Sequence, residues 1–186
     1  MLALQAGDDA ALNELIARHR APLHRFVCRY VQDETVAGDV VQETFVRVYF
    51  KAAKYEPRAT VKTWIYAIAV NLCRDQFRRR AIHPAQVSLD RAGDDSEPAS
   101  RPEPHDPHPS PEANASQNDR MAVLRNAIDQ LPDNLKAPLV LFSIEGLSQK
   151  ETADILGTTP KTVELRVYRA KEKLRQTLGK LLGAEF

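Results

Sequence analysis

The sequence predicts an all-α protein of two small helical domains, over residues 1–80 and 119–186, joined by a flexible acidic, proline-rich linker over residues 81–118. Aromatic residues make up only 6% of the chain and glycines number seven, a balance that favours helices over sheets. In both outer segments apolar residues recur at spacings of three and four, which is the period of a helix. Residues 81–120 lack this period and hold seven of the twelve prolines. Such a segment buries too little apolar surface to offset its ordering entropy.

The first domain is predicted to begin with two short helices, the second of which starts at Pro22. A third helix is predicted over residues 35–53. Its apolar members are Val36, Val40, Val41, Phe45, Val48 and Tyr49. A loop over residues 54–60 follows, because Pro57 disfavours helical backbone at Glu56.

A fourth helix is predicted from Val61 through the arginine cluster at residues 78–80. At about 100° per residue, one face of this helix is apolar and the other carries amide and guanidinium donors. The predicted packed face is Val61, Ile65, Ile68, Ala69, Leu72 and Gln76, and the predicted outer face is Ala67, Asn71, Arg74 and Arg78.

The second domain is predicted to contain helices over residues 121–130 and 132–144, the latter ended by Gly146. Ser148 and Glu151 then have the spacing of a capping box, which predicts the start of a short helix that Gly157 ends. Thr159 is the predicted N-cap of the last helix, with Pro160 at its first position. Two helices joined by a tight glycine turn form a helix-turn-helix, which places its second helix in the major groove of DNA.

The outer face of that last helix is predicted to bind DNA. Residues 161–180 carry seven basic and two acidic groups, a surface that suits phosphates. The inner face is Val163, Val167, Ala170 and Leu174, and the outer candidates are Lys161, Thr162, Glu164, Leu165, Arg166, Arg169 and Lys173. Arg166 and Arg169 have donors for base edges, whereas Leu165 suits a thymine methyl group. The alternative is that these charges only solvate a terminal helix.

Charge and composition narrow the class of protein further. Residues 1–80 carry a net +4, residues 81–120 a net −5 and residues 121–186 a net +2, so two basic modules flank an acidic tether. Cys28 and Cys73 lie in apolar helical patterns and are interpreted as reduced core thiols. No apolar run reaches the roughly 20 residues of a membrane helix, so a cytoplasmic protein without membrane insertion is expected. Neither a metal site nor a cofactor is expected.

Two stretches carry a resemblance to a known family. GDVVQETFVRVY with VKTWIYAIAVNLCRDQFRRR resembles the second conserved region of extracytoplasmic-function (ECF) sigma factors, the promoter-recognition subunits of bacterial RNA polymerase. LPDNLKAPLVLFSIEGLSQKETADILGTTPKTVELRVYRAKEKL resembles the fourth. The resemblance implies that the N-terminal domain binds core polymerase and opens the minus-10 element. It also implies that the C-terminal domain reads the minus-35 element.

Residue by residue, the resemblance implies two surfaces in the N-terminal domain. The first binds the clamp helices of the largest polymerase subunit through Asp39, Gln42, Glu43, Val46 and Arg47. The second captures minus-10 DNA at the loop 54–60 and the helix after it, through Tyr55, Arg58, Lys62, Asn71, Arg74 and Arg78. Trp64 abuts the packed face and is predicted to belong to the core instead. The linker is expected to thread the polymerase interior, and an anti-sigma factor is expected to hold the chain inactive.

Two other classes of function make demands that the sequence does not meet. A transcription regulator with an N-terminal sensor needs a phosphorylation pocket or a glycine-rich loop, and the sequence shows neither pattern. An enzyme targeted by a helix-turn-helix needs clustered carboxylates, or a nucleophile with a base. His19 and His24 are predicted to face different sides of their segment, so no catalytic group is predicted.

Overall fold

The computed structural model describes residues 1–57, 59–82 and 111–182, and helices account for all the regular structure in those ranges. The N-terminal half holds α1 (Leu2–Gln5), α2 (Ala10–Val31), α3 (Glu34–Phe50), one 3₁₀ turn (Ala52–Lys54) and α4 (Val61–Ile82). The C-terminal half holds α5 (Pro111–Asp129), α6 (Asp133–Leu139), a π turn (Val140–Ile144), α7 (Gln149–Leu156) and α8 (Pro160–Leu182). The all-α prediction is confirmed.

Helices α2, α3 and α4 form the N-terminal bundle, in which each packs against the other two. The prediction of two helices meeting at Pro22 was wrong, because α2 runs unbroken through Pro22. A proline inside a helix removes one backbone hydrogen bond at a cost of about 3 kcal/mol. The next turn offsets that cost, since Leu23, Phe26, Val27 and Tyr30 are fully buried.

Helix α4 is more enclosed than its apolar pattern predicted. Ile65, Ile68, Ala69 and Leu72 are buried as expected. A second buried stripe, Tyr66, Val70 and Cys73, lies beside the first. Tyr66 of this stripe packs against Phe26 of α2, with 5.2 Å between the ring centres, and α7 of the C-terminal half also packs against α4.

The C-terminal half begins earlier than its composition indicated. Helix α5 starts at Pro111, so residues 111–118, which were assigned to the linker, are helical. Proline suits the first turn of a helix, where its missing N–H costs nothing. Residues 81 and 82, also assigned to the linker, belong to α4, and residues 83–110 lie outside the described residues.

Helix α6 contains Pro138 and continues into a π turn, in which the amide of Glu145 donates to the carbonyl of Val140 at 2.9 Å. This break lies inside the single helix predicted over residues 132–144. Gly146, with φ of 69°, then reverses the chain. A positive φ of this kind favours glycine, which explains why the helix stops there.

The helix-turn-helix is formed by α7 and α8 as predicted. Ser148 and Glu151 form a reciprocal capping box, and Gly157 ends α7 in the left-handed region with φ of 61°. The hydroxyl of Thr159 accepts from the amide of Thr162 at 3.2 Å, which caps α8. All four predicted inner residues of α8, Val163, Val167, Ala170 and Leu174, are buried.

The capping box gives a stability prediction. Ser148→Ala is expected to lower the free energy of unfolding by about 1 kcal/mol at pH 7, because the amide of Glu151 loses its acceptor and the Glu151 carboxylate loses the hydroxyl that donates to it. Hydrogen bonds from Ser148 lower the pKa of Glu151. The stabilisation is therefore complete above the ordinary carboxyl pKa and declines as the pH falls through the lowered value. Thermal melts of Ser148→Ala and of the exposed-site control Ser143→Ala from pH 7 to pH 3 test this. An equal melting temperature for the two variants at pH 7 would contradict it.

Candidate functional site

The predicted polymerase-binding residues lie together on α3. Asp39, Gln42 and Val46 are exposed along one edge of the helix, since spacings of three and four residues bring side chains together. Glu43 and Arg47 are half-buried beside them and form an ion pair, with 2.7 Å between Arg47 Nε and Glu43 Oε1. We call the exposed edge formed by Asp39, Gln42 and Val46 the α3 patch. It combines a carboxylate, an amide and an apolar group.

An open groove of about 740 Å³ runs between α2 and α3 along the α3 patch. Its far end is lined by Tyr49 and Phe50, whose rings lie 5.5 Å apart edge to face. Both rings are solvent-accessible, Tyr49 at 40% and Phe50 at 76%. Tyr49, a predicted apolar member of this helix, therefore lies outside the core, and Phe50 was not predicted. Its position off the apolar stripe of α3 was the available signal.

Contacts within the fold hold the loop before α4 in place. Tyr55 is buried, its hydroxyl donates to the carbonyl of Ala59 at 2.8 Å, and its ring lies 5.2 Å from Trp64. The amide of Gln5 donates to the carbonyls of Ala52 and Tyr55, at 2.9 Å each, and ties α1 to this loop. The ring and the hydroxyl of Tyr55 both have partners within the fold, and its contact with DNA stays a prediction. Arg58 lies outside the described residues.

Trp64 is half-buried and packs against the core, as predicted. The predicted DNA-binding side chains of α4 lie on the same helix as Trp64. Lys62 Nζ is 5.9 Å from the centre of the Tyr66 ring. Asn71 and Arg78 are exposed, and Arg78 Nη2 is paired with Asp75 Oδ1 at 2.5 Å. Arg74 differs from them, because its Nε lies 2.7 Å from Oδ2 of Asp133 in the C-terminal half.

The outer face of α8 is open to solvent. Lys161, Glu164, Leu165, Arg169 and Lys173 are exposed, and Arg166 is half-buried. Lys161 Nζ and Glu164 Oε2 lie 3.0 Å apart, and the hydroxyl of Thr162 is hydrogen-bonded to that of Thr159 at 2.8 Å. Thr162 therefore serves the cap, while the other side chains face outward. Tyr168, which the pattern did not single out, is 64% exposed on the same helix.

The two cysteines differ in their surroundings. Cys73 is buried, and burial raises its pKa to about 12, so the thiol is protonated and inert. Cys28 is half-buried, with its Sγ 3.5 Å from Nδ1 of His24. Within the described ranges, no three metal-binding side chains cluster, and no helix is long and apolar enough to cross a bilayer.

Each half of the chain matches a known protein family. Residues 15–82, which hold most of α2 and all of α3 and α4, match the family described as Sigma-70 region 2. Residues 121–174, which include the helix-turn-helix, match Sigma-70 region 4. The chain is 33% identical over 175 residues to the RNA polymerase sigma factor CarQ of Myxococcus xanthus, covering 94% of this chain and 93% of that protein. This chain belongs to the sigma-70 family, in its ECF group.

Two further sigma factors are similar to this chain, one in sequence and one in structure. The ECF RNA polymerase sigma factor SigE of Mycolicibacterium smegmatis is 33% identical to this sigma factor over 181 residues, which are 94% of this chain and 65% of SigE. CnrH has been solved in complex with the cytosolic domain of CnrY. It superposes with a TM-score of 0.67 at 27% identity and covers 96% of this chain and 94% of CnrH.

Membership in the sigma-70 family decides between a sigma factor, an enzyme and a ligand-sensing regulator. A sigma factor is a non-enzymatic subunit that binds DNA and directs transcription initiation by RNA polymerase. The enzyme and the ligand-sensing regulator are therefore excluded. The helix-turn-helix that the capping pattern predicted lies in region 4 of the sigma factor.

Proposed function

We propose that this sigma factor divides its work among three surfaces: the α3 patch with its groove for core polymerase, the outer face of α4 for minus-10 DNA, and the outer face of α8 for minus-35 DNA. The observation that carries the proposal is the outward placement of Leu165, Arg166 and Arg169 above the fully packed inner face of α8. A recognition helix needs this combination, because packing of its inner side fixes the guanidinium groups of its outer side where they can reach base edges.

The α3 patch and groove suit a helical partner. The groove lies between α2 and α3, and Val46 and the exposed rings of Tyr49 and Phe50 offer apolar contact. Asp39 and Gln42 add acceptors and donors for basic or polar side chains. A pair of clamp helices from the largest polymerase subunit satisfies both requirements.

The minus-10 surface is proposed to consist of Lys62, Asn71, Arg74 and Arg78 on α4, with Arg58 added from the sequence. Cations and an amide along one helix can follow a phosphate backbone and hydrogen-bond unpaired bases. Tyr55 supports this surface from behind by closing the loop that precedes α4.

A regulatory partner is proposed as well. CnrH, to which the fold is similar, has been solved with the cytosolic domain of CnrY. We infer that an anti-sigma factor also binds this chain. We further infer that the chain passes from this partner to core polymerase in the cytoplasm.

The experiment that tests the proposal is in vitro transcription with core polymerase on a promoter library. The chain is expected to direct transcripts from a subset of promoters that share minus-35 and minus-10 sequences. It is also expected to shift that DNA only when core enzyme is present. DNA shifting without core enzyme, together with no specific transcripts, would contradict the proposal.

A further inference from the structure

The side chain of Gln5 joins α1 to the loop before α4. Its amide nitrogen donates to the carbonyl of Ala52 at 2.9 Å and to the carbonyl of Tyr55 at 2.9 Å. These partners lie 47 and 50 residues further along the chain. A glutamine amide has two N–H donors, so both are used on the backbone of one short segment. Helix α1 also packs against the 3₁₀ turn that contains Ala52.

The two carbonyls lie at the beginning of that 3₁₀ turn and directly after its end. The carbonyl of Ala52 also accepts from the amide of Tyr55 at 3.0 Å, a bond that closes the turn. At Tyr55 the backbone becomes extended, with φ of −71° and ψ of 123°. A short 3₁₀ turn has poor hydrogen-bond geometry and little stability of its own. Gln5 therefore adds two contacts that hold the turn and the direction in which the chain leaves it.

Two more side chains fix the far end of the loop. The hydroxyl of Tyr55 donates to the carbonyl of Ala59 at 2.8 Å. The hydroxyl of Thr60 accepts from the amide of Thr63 at 3.1 Å, which caps the first turn of α4. Between these contacts residues 56–57 are exposed. The loop is thus held at both ends while its middle faces solvent.

We propose that Gln5 is a positioning residue for promoter opening, which holds the loop before α4 in the shape that receives an unpaired minus-10 base. Capture of a flipped base has to offset the stacking free energy that the base loses. A loop that is already ordered gives up less conformational entropy on binding, so more of the contact free energy remains for this task. Gln5 acts through the backbone of Ala52 and Tyr55 and needs no contact with DNA. The inference rests on the proposed function, in which this loop and α4 form the minus-10 surface.

Four variants separate the hydrogen bonds of Gln5 from the charge and size of its side chain. Gln5→Met keeps the length and removes both donors, and Gln5→Glu is nearly isosteric but presents only acceptors to the two carbonyls. Gln5→Lys restores N–H donors on a flexible stem. Asn13→Asp is the matched control, because it makes the same amide-to-carboxylate change at an exposed position of α2.

The assay uses the full chain with core polymerase on a duplex promoter that carries 2-aminopurine in the minus-10 element, where its fluorescence rises as the base unstacks. Gln5→Met and Gln5→Glu are expected to open this promoter about tenfold less, because two hydrogen bonds to the loop are lost. Gln5→Lys is expected to recover most of the opening, and Asn13→Asp is expected to match the wild type. Wild-type opening by Gln5→Met and Gln5→Glu, or a loss that Gln5→Lys does not recover, would overturn the positioning role.

Two further measurements distinguish positioning from a general loss of structure. Binding of core enzyme by Gln5→Met is expected to match the wild type, because both partners of Gln5 lie in the loop. The preference of the complex with core polymerase among single-stranded minus-10 oligonucleotides that differ at one base is expected to weaken, since a loosened loop discriminates less between bases. Core binding that falls as much as opening, with an unchanged base preference, would make Gln5 a general support of the fold and overturn the proposal.

An Asn71→Ala variant on the outer face of α4 separates this inference from the proposed function. Asn71→Ala and the donor-free Gln5 variants are all expected to open the promoter less. If only Asn71→Ala does so, the minus-10 surface stands and the role of Gln5 is overturned. If all of them open it normally, the proposed minus-10 surface is overturned together with the inference that rests on it.

Discussion

A Val46→Asp variant is expected to bind core RNA polymerase on the order of 100-fold more weakly than the wild-type chain, because an unpaired carboxylate at an interface centre loses its hydration. Val46 is 42% exposed in the free chain, so water solvates the new carboxylate there and the fold is expected to be retained. Binding of labelled core enzyme in a titration measures the change.

The control for this prediction lies on the same helix. Thr35→Asp adds the same charge at an exposed position three turns away, at the N-terminus of α3, where a carboxylate is favoured. Its affinity for core enzyme is expected to match that of the wild type. Equal weakening by the two variants would mean that charge, and not the α3 patch, controls binding.

An Arg169→Ala variant is expected to initiate about 10- to 100-fold less from promoters that depend on a minus-35 element, since one good base contact contributes about 1–3 kcal/mol. Arg169 is exposed on α8 and packs against nothing in the core, so the fold should be unaffected. Runoff transcription from a duplex promoter measures the loss.

Two comparisons make the Arg169 prediction specific. Arg18→Ala removes an exposed arginine from an ion pair with Glu14 on α2 and is expected to have no comparable effect. On a template that carries only the minus-10 fork, Arg169→Ala and the wild type are expected to be equally active. A loss of activity on both templates would place Arg169 in polymerase binding and not in minus-35 recognition.

Local signals predicted the helix-turn-helix well, because each was decided within a few residues. The capping box at Ser148, the glycine at 157 and the cap at Thr159 all have their partners within one turn. Tertiary packing overrode local preference at Pro22, where four fully buried side chains keep α2 continuous. The sequence alone does not show that burial of these side chains offsets the cost of the proline.

In the candidate sites too, local helical period predicted some residues, whereas contacts made by tertiary packing were not predicted. The outer residues of α8 and the exposed edge of α3 follow from helical period, so the pattern found them. The burial of Tyr55 was not predicted, because partners such as Trp64 and Gln5 are brought to it by the fold. The pairing of Arg74 with Asp133 joins residues 59 positions apart, and no periodicity encodes such a contact.

The continuous core that runs through both halves places two demands on α7 at once. Helix α7 packs against α8 and also against α4. Exchanging the C-terminal half with that of a relative, in order to redirect the chain to new promoters, therefore transplants more than DNA specificity. The hybrid contains an interface whose two sides come from different proteins, so a residue such as Phe77 of α4, which contacts Lys136 of α6, must be exchanged together with α6.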